Sequence, residues 1–112
     1  MMSPLVRVAI NFIDGNLHRD IYLAEVTDVV KLSPSRFSHL FKSEVGMSFN
    51  QYLIKARLEK ARNLLEESLM PVKLITFEVG YKDSGHFERE FKKASGVTPS
   101  QHKADYLCRI AI

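Results

Sequence analysis

The chain has 112 residues, 46% of them hydrophobic, and a net charge of +3 with a pI of about 9.1. That length allows one domain or two very small subdomains, and the apolar content is enough for a core, which excludes a disordered chain. No apolar run approaches the roughly 18 residues of a membrane span, the start "MMSPLVRVAI" lacks the regions of a signal peptide, and Cys108 as the single cysteine excludes a disulfide framework and a thiolate zinc site.

A cytoplasmic location is expected from this cysteine usage. The mild positive charge permits nucleic-acid binding without requiring it, so the placement of the charges has to decide.

Apolar residues recur at i, i+3 and i+4 along most of the chain, which predicts an all-α protein. The first helix is expected at about 4–15. The polar stretch "GNLHRD" follows, and His18 within it is read as a surface residue. A short helix at 23–30 runs into a turn at Lys31. Ser33 and Pro34 form an N-cap and first position for a helix at 34–45, and Gly46 suits the residue just past its end. Ser48 with Gln51 makes a capping box that opens a long helix at 49–68. Pro71 interrupts the chain before a helix at 72–79. A helix at 84–95 ends at Gly96, and Thr98, Pro99 and Gln101 open a last one at 99–107.

The sequence repeats itself. Shifted by fifty, Phe37 meets Phe87, Phe41 meets Phe91, Lys42 meets Lys92, Gly46 meets Gly96 and Ser48 meets Thr98. Shifted by forty-nine, Leu23, Val26, Thr27 and Val30 meet Val72, Ile75, Thr76 and Val79. The slip of one residue falls in a turn, where insertions are tolerated. Each copy is thus a short helix, a tight turn and a longer amphipathic helix, the layout of a helix-turn-helix. The second turn holds Gly80 and the first Lys31, which would pay about 1 kcal/mol in a left-handed conformation. A different turn shape is therefore expected in the first copy.

The helix between the copies carries Leu53, Ile54, Leu58, Ala61, Leu64 and Leu65 over an arc of roughly 140°. Such an arc suits a helix that touches a subdomain at each end. At roughly 30 Å long, it is close to the separation of about 34 Å between successive major grooves on one face of DNA. The expected domains are 1–47, a linker helix at 48–68, and 69–112. Arg57 lies inside the apolar arc, either paired with an acidic residue, the preferred reading, or clamping a phosphate.

In the first long helix Phe37, Leu40, Phe41 and Val45 should face the core. Ser35, Ser38, His39 and Lys42 are left outside, with Arg36 flanking. These are donors and acceptors of the kind that read base edges in a major groove, with Lys42 better placed for a phosphate. In the second, Phe87 and Phe91 face inward, and Ser84, Gly85, His86, Glu88, Arg89 and Lys92 are left outward or flanking. Arg89, in the place of His39, is the strongest candidate for base reading. Glu88 either accepts from a cytosine amino group or holds Arg89 in a salt bridge, the preferred reading. For one such helix a merely solvated face is the default, but two copies at matched spacing argue otherwise. No metal spacing, phosphate loop or catalytic constellation is present, so neither an enzyme nor a cofactor is expected. His102 is read as a surface or partial core residue, and Cys108 as half-buried and structural.

The run "LSPSRFSHLFKSEVGMSFNQYLIKARLEKARNLL", followed by "VKLITFEVGYKDSGHFEREFKKASGVTPSQHK", resembles the DNA-binding domain of the AraC/XylS family of bacterial transcription regulators. Phe41-Lys42, Gly46, Ser48, Tyr52-Leu53, Arg57-Leu58, Ala61-Arg62, Leu64-Leu65, Val79-Gly80-Tyr81, Phe91-Lys92 and Thr98-Pro99 carry the likeness. It implies a homeodomain-like fold of about seven helices, with two helix-turn-helix subdomains joined by a long helix. It further implies that each second helix enters a major groove, with Ser35, Ser38, His39, Ser84, Gly85, His86, Glu88 and Arg89 toward the bases. Arg36, Lys42, Ser48, Lys82 and Lys92 are then the phosphate candidates.

Double-stranded DNA is the implied partner, with RNA polymerase recruited or blocked and no membrane involved. Family members usually carry a separate effector or dimerisation domain, so the chain is expected to be part of a longer regulator. An all-helical protein-interaction module is the rival reading. The chain departs from the family pattern at Phe49, usually proline, at Thr27 and Thr76, usually alanine, and at His102-Lys103, usually Tyr-Arg. Each threonine hydroxyl is expected to bond the carbonyl four residues back.

Overall fold

The computed structural model describes residues 2–111. Met1 and Ile112, the outer limits of the two expected subdomains, lie outside the described residues. The elements are α1 (Pro4–Asp14), α2 (Leu23–Val30), α3 (Pro34–Val45), α4 (Phe49–Glu67), α5 (Val72–Glu78), α6 (Ser84–Ser95) and α7 (Pro99–Ile110). There is no strand among the described residues, as the helical periodicity predicts.

Local chemistry sets most of the helix ends. Ser33 Oγ accepts from Arg36 N at the start of α3. Ser48 and Gln51 satisfy each other at the start of α4: Gln51 N donates to Ser48 Oγ and Ser48 N to Gln51 Oε1. The matching box at α7 is half-formed. Thr98 Oγ1 accepts from Gln101 N, but the Gln101 amide turns to Asp105. Gly46 and Gly96 close α3 and α6 with φ of 87° and 84°.

The chain forms two compact units, residues 1–56 and 57–112. In the first, Val6, Ala9 and Ile13 of α1, Val26 and Val30 of α2, and Phe37 and Phe41 of α3 form one core with Phe49 and Leu53. In the second, Leu58, Ala61 and Leu65 pack with Ile75, Val79, Tyr81, Phe87 and Phe91. The repetition therefore reaches further than the pattern of residue types shows. Shifted by fifty-two, Val6, Ala9 and Ile13 meet Leu58, Ala61 and Leu65, so the second half of α4 serves the second unit as α1 serves the first.

The closing helices correspond too. Tyr52 packs edge-on against Phe41 with centroids 5.7 Å apart, and His102, fifty residues on, does the same against Phe91 at 5.7 Å. Tyr52 Oη donates to Asp14 Oδ1 at 3.0 Å, and His102 Nε2 lies 2.7 Å from Glu66 Oε2. Both acids stand at matching places in the last turn of their helices, fifty-two residues apart. His102 thus makes both kinds of contact that Tyr52 makes in the first unit.

Four expectations are corrected. Lys31 does take the left-handed conformation, at φ 60° and ψ 38°, and the two turns close alike: Leu32 N donates to Thr27 O, and Tyr81 N to Thr76 O. Closure of the same six-residue ring outweighs the steric cost at Lys31. Thr76 bonds the carbonyl four residues back, Val72 O, but Thr27 bonds Ala24 O, three back.

Ile54 is 38% exposed. It points along the face that Leu58, Ala61 and Leu65 bury further on, but it lies in the half of α4 packed through Phe49 and Leu53. Cys108 is exposed. α7 runs to Ile110 and packs through Pro99, His102, Lys103 and Tyr106, so Cys108 falls on the outer side at 100° per residue.

Candidate nucleic-acid interface

α3 presents its outward face as expected. Phe37 and Phe41 are buried with ring centroids 5.4 Å apart, which fixes the helix and leaves Ser35, Arg36, Ser38, His39 and Lys42 exposed. Leu40 and Val45 are only half-buried. Among the described residues no side-chain hydrogen bond or ion pair engages Arg36, His39 or Lys42. Their donors are available to a ligand.

Ser38, Lys42 and Ser48 come together around a cleft of about 340 Å³, lined also by Ile21, Tyr22, Leu23, Phe49 and Asn50. A lysine, a hydroxyl and the first turn of α4 converge there. Lysine offers a point charge, and the start of a helix offers unpaired N–H groups and a positive dipole end. Ser48 Oγ already accepts from Gln51 N, and its own proton remains free to donate. Tyr22, 64% exposed, adds a phenol at the same cleft. Tyr22 is not among the candidates that the repeat pattern marks. A signal is there, since an aromatic stands directly before a helix start, where serine, threonine or aspartate is preferred.

α6 is the second face. Phe87 and Phe91 are buried, 5.9 Å apart, and Ser84, His86, Glu88, Arg89 and Lys92 are exposed while Gly85 is half-buried. The helix is capped by Asp83, whose Oδ1 accepts from Gly85 N at 2.9 Å. His86 is partly engaged: its ring packs edge-on against Tyr81 at 5.3 Å, and its Nε2 lies 3.3 Å from Glu90 Oε1.

The preferred salt bridge between Glu88 and Arg89 does not form among the described residues. Neighbouring side chains on a helix diverge and do not face each other. Arg89 reaches back one turn instead, its Nη1 standing beside Gly85. Lys82 is exposed just before α6 and already interacts within the protein.

Arg57 is half-buried, with its guanidinium carbon 6.0 Å from the centre of the Tyr81 ring, a cation–π distance. Tyr81 is 6% exposed and its hydroxyl is buried with no hydrogen-bond partner. Burial and the nearby Glu90 carboxylate push its phenol up to about 12, against the opposing pull of Arg57.

No helix among the described residues is long and apolar enough to cross a membrane. Residues 26–105 match a family described as a helix-turn-helix domain. The chain is 39% identical over 106 residues to the arabinose operon regulatory protein of Salmonella typhimurium; the match takes in 92% of this chain and 37% of that protein. It therefore spans well under half the length of that relative.

Its fold is similar to the C-terminal domain of AraT, a response regulator from Geobacillus stearothermophilus, with a TM-score of 0.87 and 37% identity over 93% of this chain and 87% of that one. It is also similar in fold to the DNA-binding domain of AdpA, a structure determined with target DNA, with a TM-score of 0.90 and 23% identity over 96% of each chain.

Proposed function

The chain belongs to the AraC/XylS-type helix-turn-helix family, and from that premise we propose that it binds duplex DNA at a specific sequence, with α3 and α6 in successive major grooves. One observation carries the reading. Two copies of the same helix–turn–helix unit bury matched phenylalanines and turn unlike polar faces outward, as two halves of one DNA site would require. Ser35, Ser38 and His39 of α3, and Ser84, Gly85, His86, Glu88 and Arg89 of α6, face the bases. Arg89 leads among them because a guanidinium can meet guanine O6 and N7 with two bonds; His86 ranks lower because Tyr81 and Glu90 already hold it.

Lys42, Ser48, Arg36, Lys82 and Lys92 hold phosphates, which supplies affinity independent of sequence. Tyr22 joins the phosphate set at the Lys42 cleft. Arg57 serves packing against Tyr81. The domain acts in the cytoplasm within a longer transcription regulator, whose effector or dimerisation part lies outside this sequence, and it recruits or blocks RNA polymerase. It binds and does not catalyse.

Selection of duplexes from a random pool, followed by mobility-shift titration at about 50 and 200 mM salt, tests this. The expected winner contains two short motifs about 10 base pairs apart, and its affinity falls steeply as salt rises. No enriched sequence, or an affinity indifferent to salt, would favour the protein-interaction module and end the DNA reading.

A further inference from the structure

We infer that Gly85 is a positioning residue: by leaving out a side chain it gives the Arg89 guanidinium room over the first turn of α6, and so sets the G·C pair that this arginine reads. The inference rests on the reading that α6 meets DNA.

Nothing in the backbone asks for glycine at this position. The glycines with positive φ among the described residues are Gly46, Gly80 and Gly96, while Gly85 is ordinary helix. Alanine would favour the helix. What glycine leaves is space. A β-carbon at position 85 would stand 3.3 Å from Arg89 Nη1 and 3.5 Å from Asp83 Oδ1. The first distance is tighter than ordinary van der Waals contact, so the guanidinium tip would give by a few tenths of an ångström.

Arg89 arrives there because a helical side chain leans toward the N-terminus, over the residue four back. Asp83 is itself fixed, since its Oδ1 accepts from Gly85 N. A flexible arginine thus lies over the notch at Gly85, with no ion pair to Asp83 or to Glu88 among the described residues. In the first copy the corresponding residues are Ser33, Ser35 and His39. Ser33 caps one residue further along, at Arg36 N, and no arginine lies there. The device is particular to α6.

The test compares base preference, position by position, for the unaltered chain, Arg89→Ala, Gly85→Ala, the double variant and Asp83→Asn. Thermal denaturation of each is measured alongside. Arg89→Ala identifies its base pair as the one whose preference disappears. Gly85→Ala is expected to melt no lower than the unaltered chain, yet to lose discrimination about fivefold or more at that same pair. Asp83→Asn keeps a good helix cap and, having no ion pair with Arg89 to remove, should keep the preference at that pair; a loss there overturns the inference.

In the double variant, Gly85→Ala should add nothing to Arg89→Ala, because both act through one side chain. Unchanged discrimination in Gly85→Ala, or a uniform loss at every base pair, overturns the inference while leaving α6 on DNA. An unaltered chain that selects no sequence overturns the DNA reading, and this inference with it.

Discussion

Tyr81→Phe is expected to stabilise the second unit. The tyrosine ring packs against His86 and Phe87 with centroids 5.3 Å away in each case, and phenylalanine keeps those contacts. What it removes is a hydroxyl that is buried and makes no hydrogen bond. A buried polar group left unsatisfied costs about 1–3 kcal/mol. Allowing for some relaxation, the gain should be about 1 kcal/mol, or about 4–8 °C in melting temperature for a small domain.

The same burial sets a pH dependence. The phenol ordinarily titrates near 10.0 and is pushed up to about 12 in the folded chain, so folding favours its neutral form. That contribution is fully present below about pH 10 and is lost as pH rises through about 12, with a ceiling of about 3 kcal/mol. Amide hydrogen exchange of α6, which reports opening of this unit, measures the neutral-pH gain. Urea denaturation at about pH 9 and pH 11 measures the alkaline loss, which should be smaller in Tyr81→Phe. Lysine titration is common to both proteins and cancels. If Tyr81→Phe loses about 1 kcal/mol or more at neutral pH, the hydroxyl has a partner and the reasoning fails. Equal alkaline losses would refute the second half.

Lys31→Gly should stabilise the first unit by about 0.5–1 kcal/mol, since Lys31 sits at φ 60° and glycine takes that conformation freely; a loss in urea denaturation would show that the turn is not strained. His102→Tyr should hold stability within about 1 kcal/mol by reaching Glu66 as Tyr52 reaches Asp14, while His102→Ala should lose about 1–3 kcal/mol of ring contact and hydrogen bond. Equal losses in the two variants would break the equivalence of the closing helices. On a selected DNA site, Arg89→Ala should lose preference at one or two base pairs, and Lys42→Ala should weaken all sequences alike and flatten the salt response. Uniform weakening in both would remove Arg89 from base reading.

The ends of the helices are legible in the amino-acid sequence, because the residues that set them act within three or four positions. Ser33 reaches Arg36 N, Ser48 reaches Gln51 N, and Gly46 and Gly96 take the left-handed turn. The fixed aromatics Phe37, Phe41, Phe87 and Phe91 mark the buried sides correctly. Less legible is anything that depends on a distant neighbour. Gln101 can turn back to its own helix start or forward to Asp105, and only the competing carboxylate decides. The Glu88–Arg89 pair fails on a rule of helix geometry that adjacency in sequence conceals. The engagement of His86 by Tyr81 and Glu90 requires both helix and turn to be in place.

Periodicity and capping, both local, determined that this chain is helical, where its helices start, and which short helix-turn-helix pattern occurs twice. Packing decided the rest. That the second half of α4 stands in for α1 is hidden in the sequence, because Val6, Ala9 and Ile13 share only one residue type with Leu58, Ala61 and Leu65. A core selects size and position before identity. Ile54 is expected in the apolar arc of the long helix and Cys108 half-buried. Each is exposed in the folded chain. Arg89 likewise becomes more than an outward arginine only when the missing side chain of Gly85, four residues back, gives its guanidinium a place to lie.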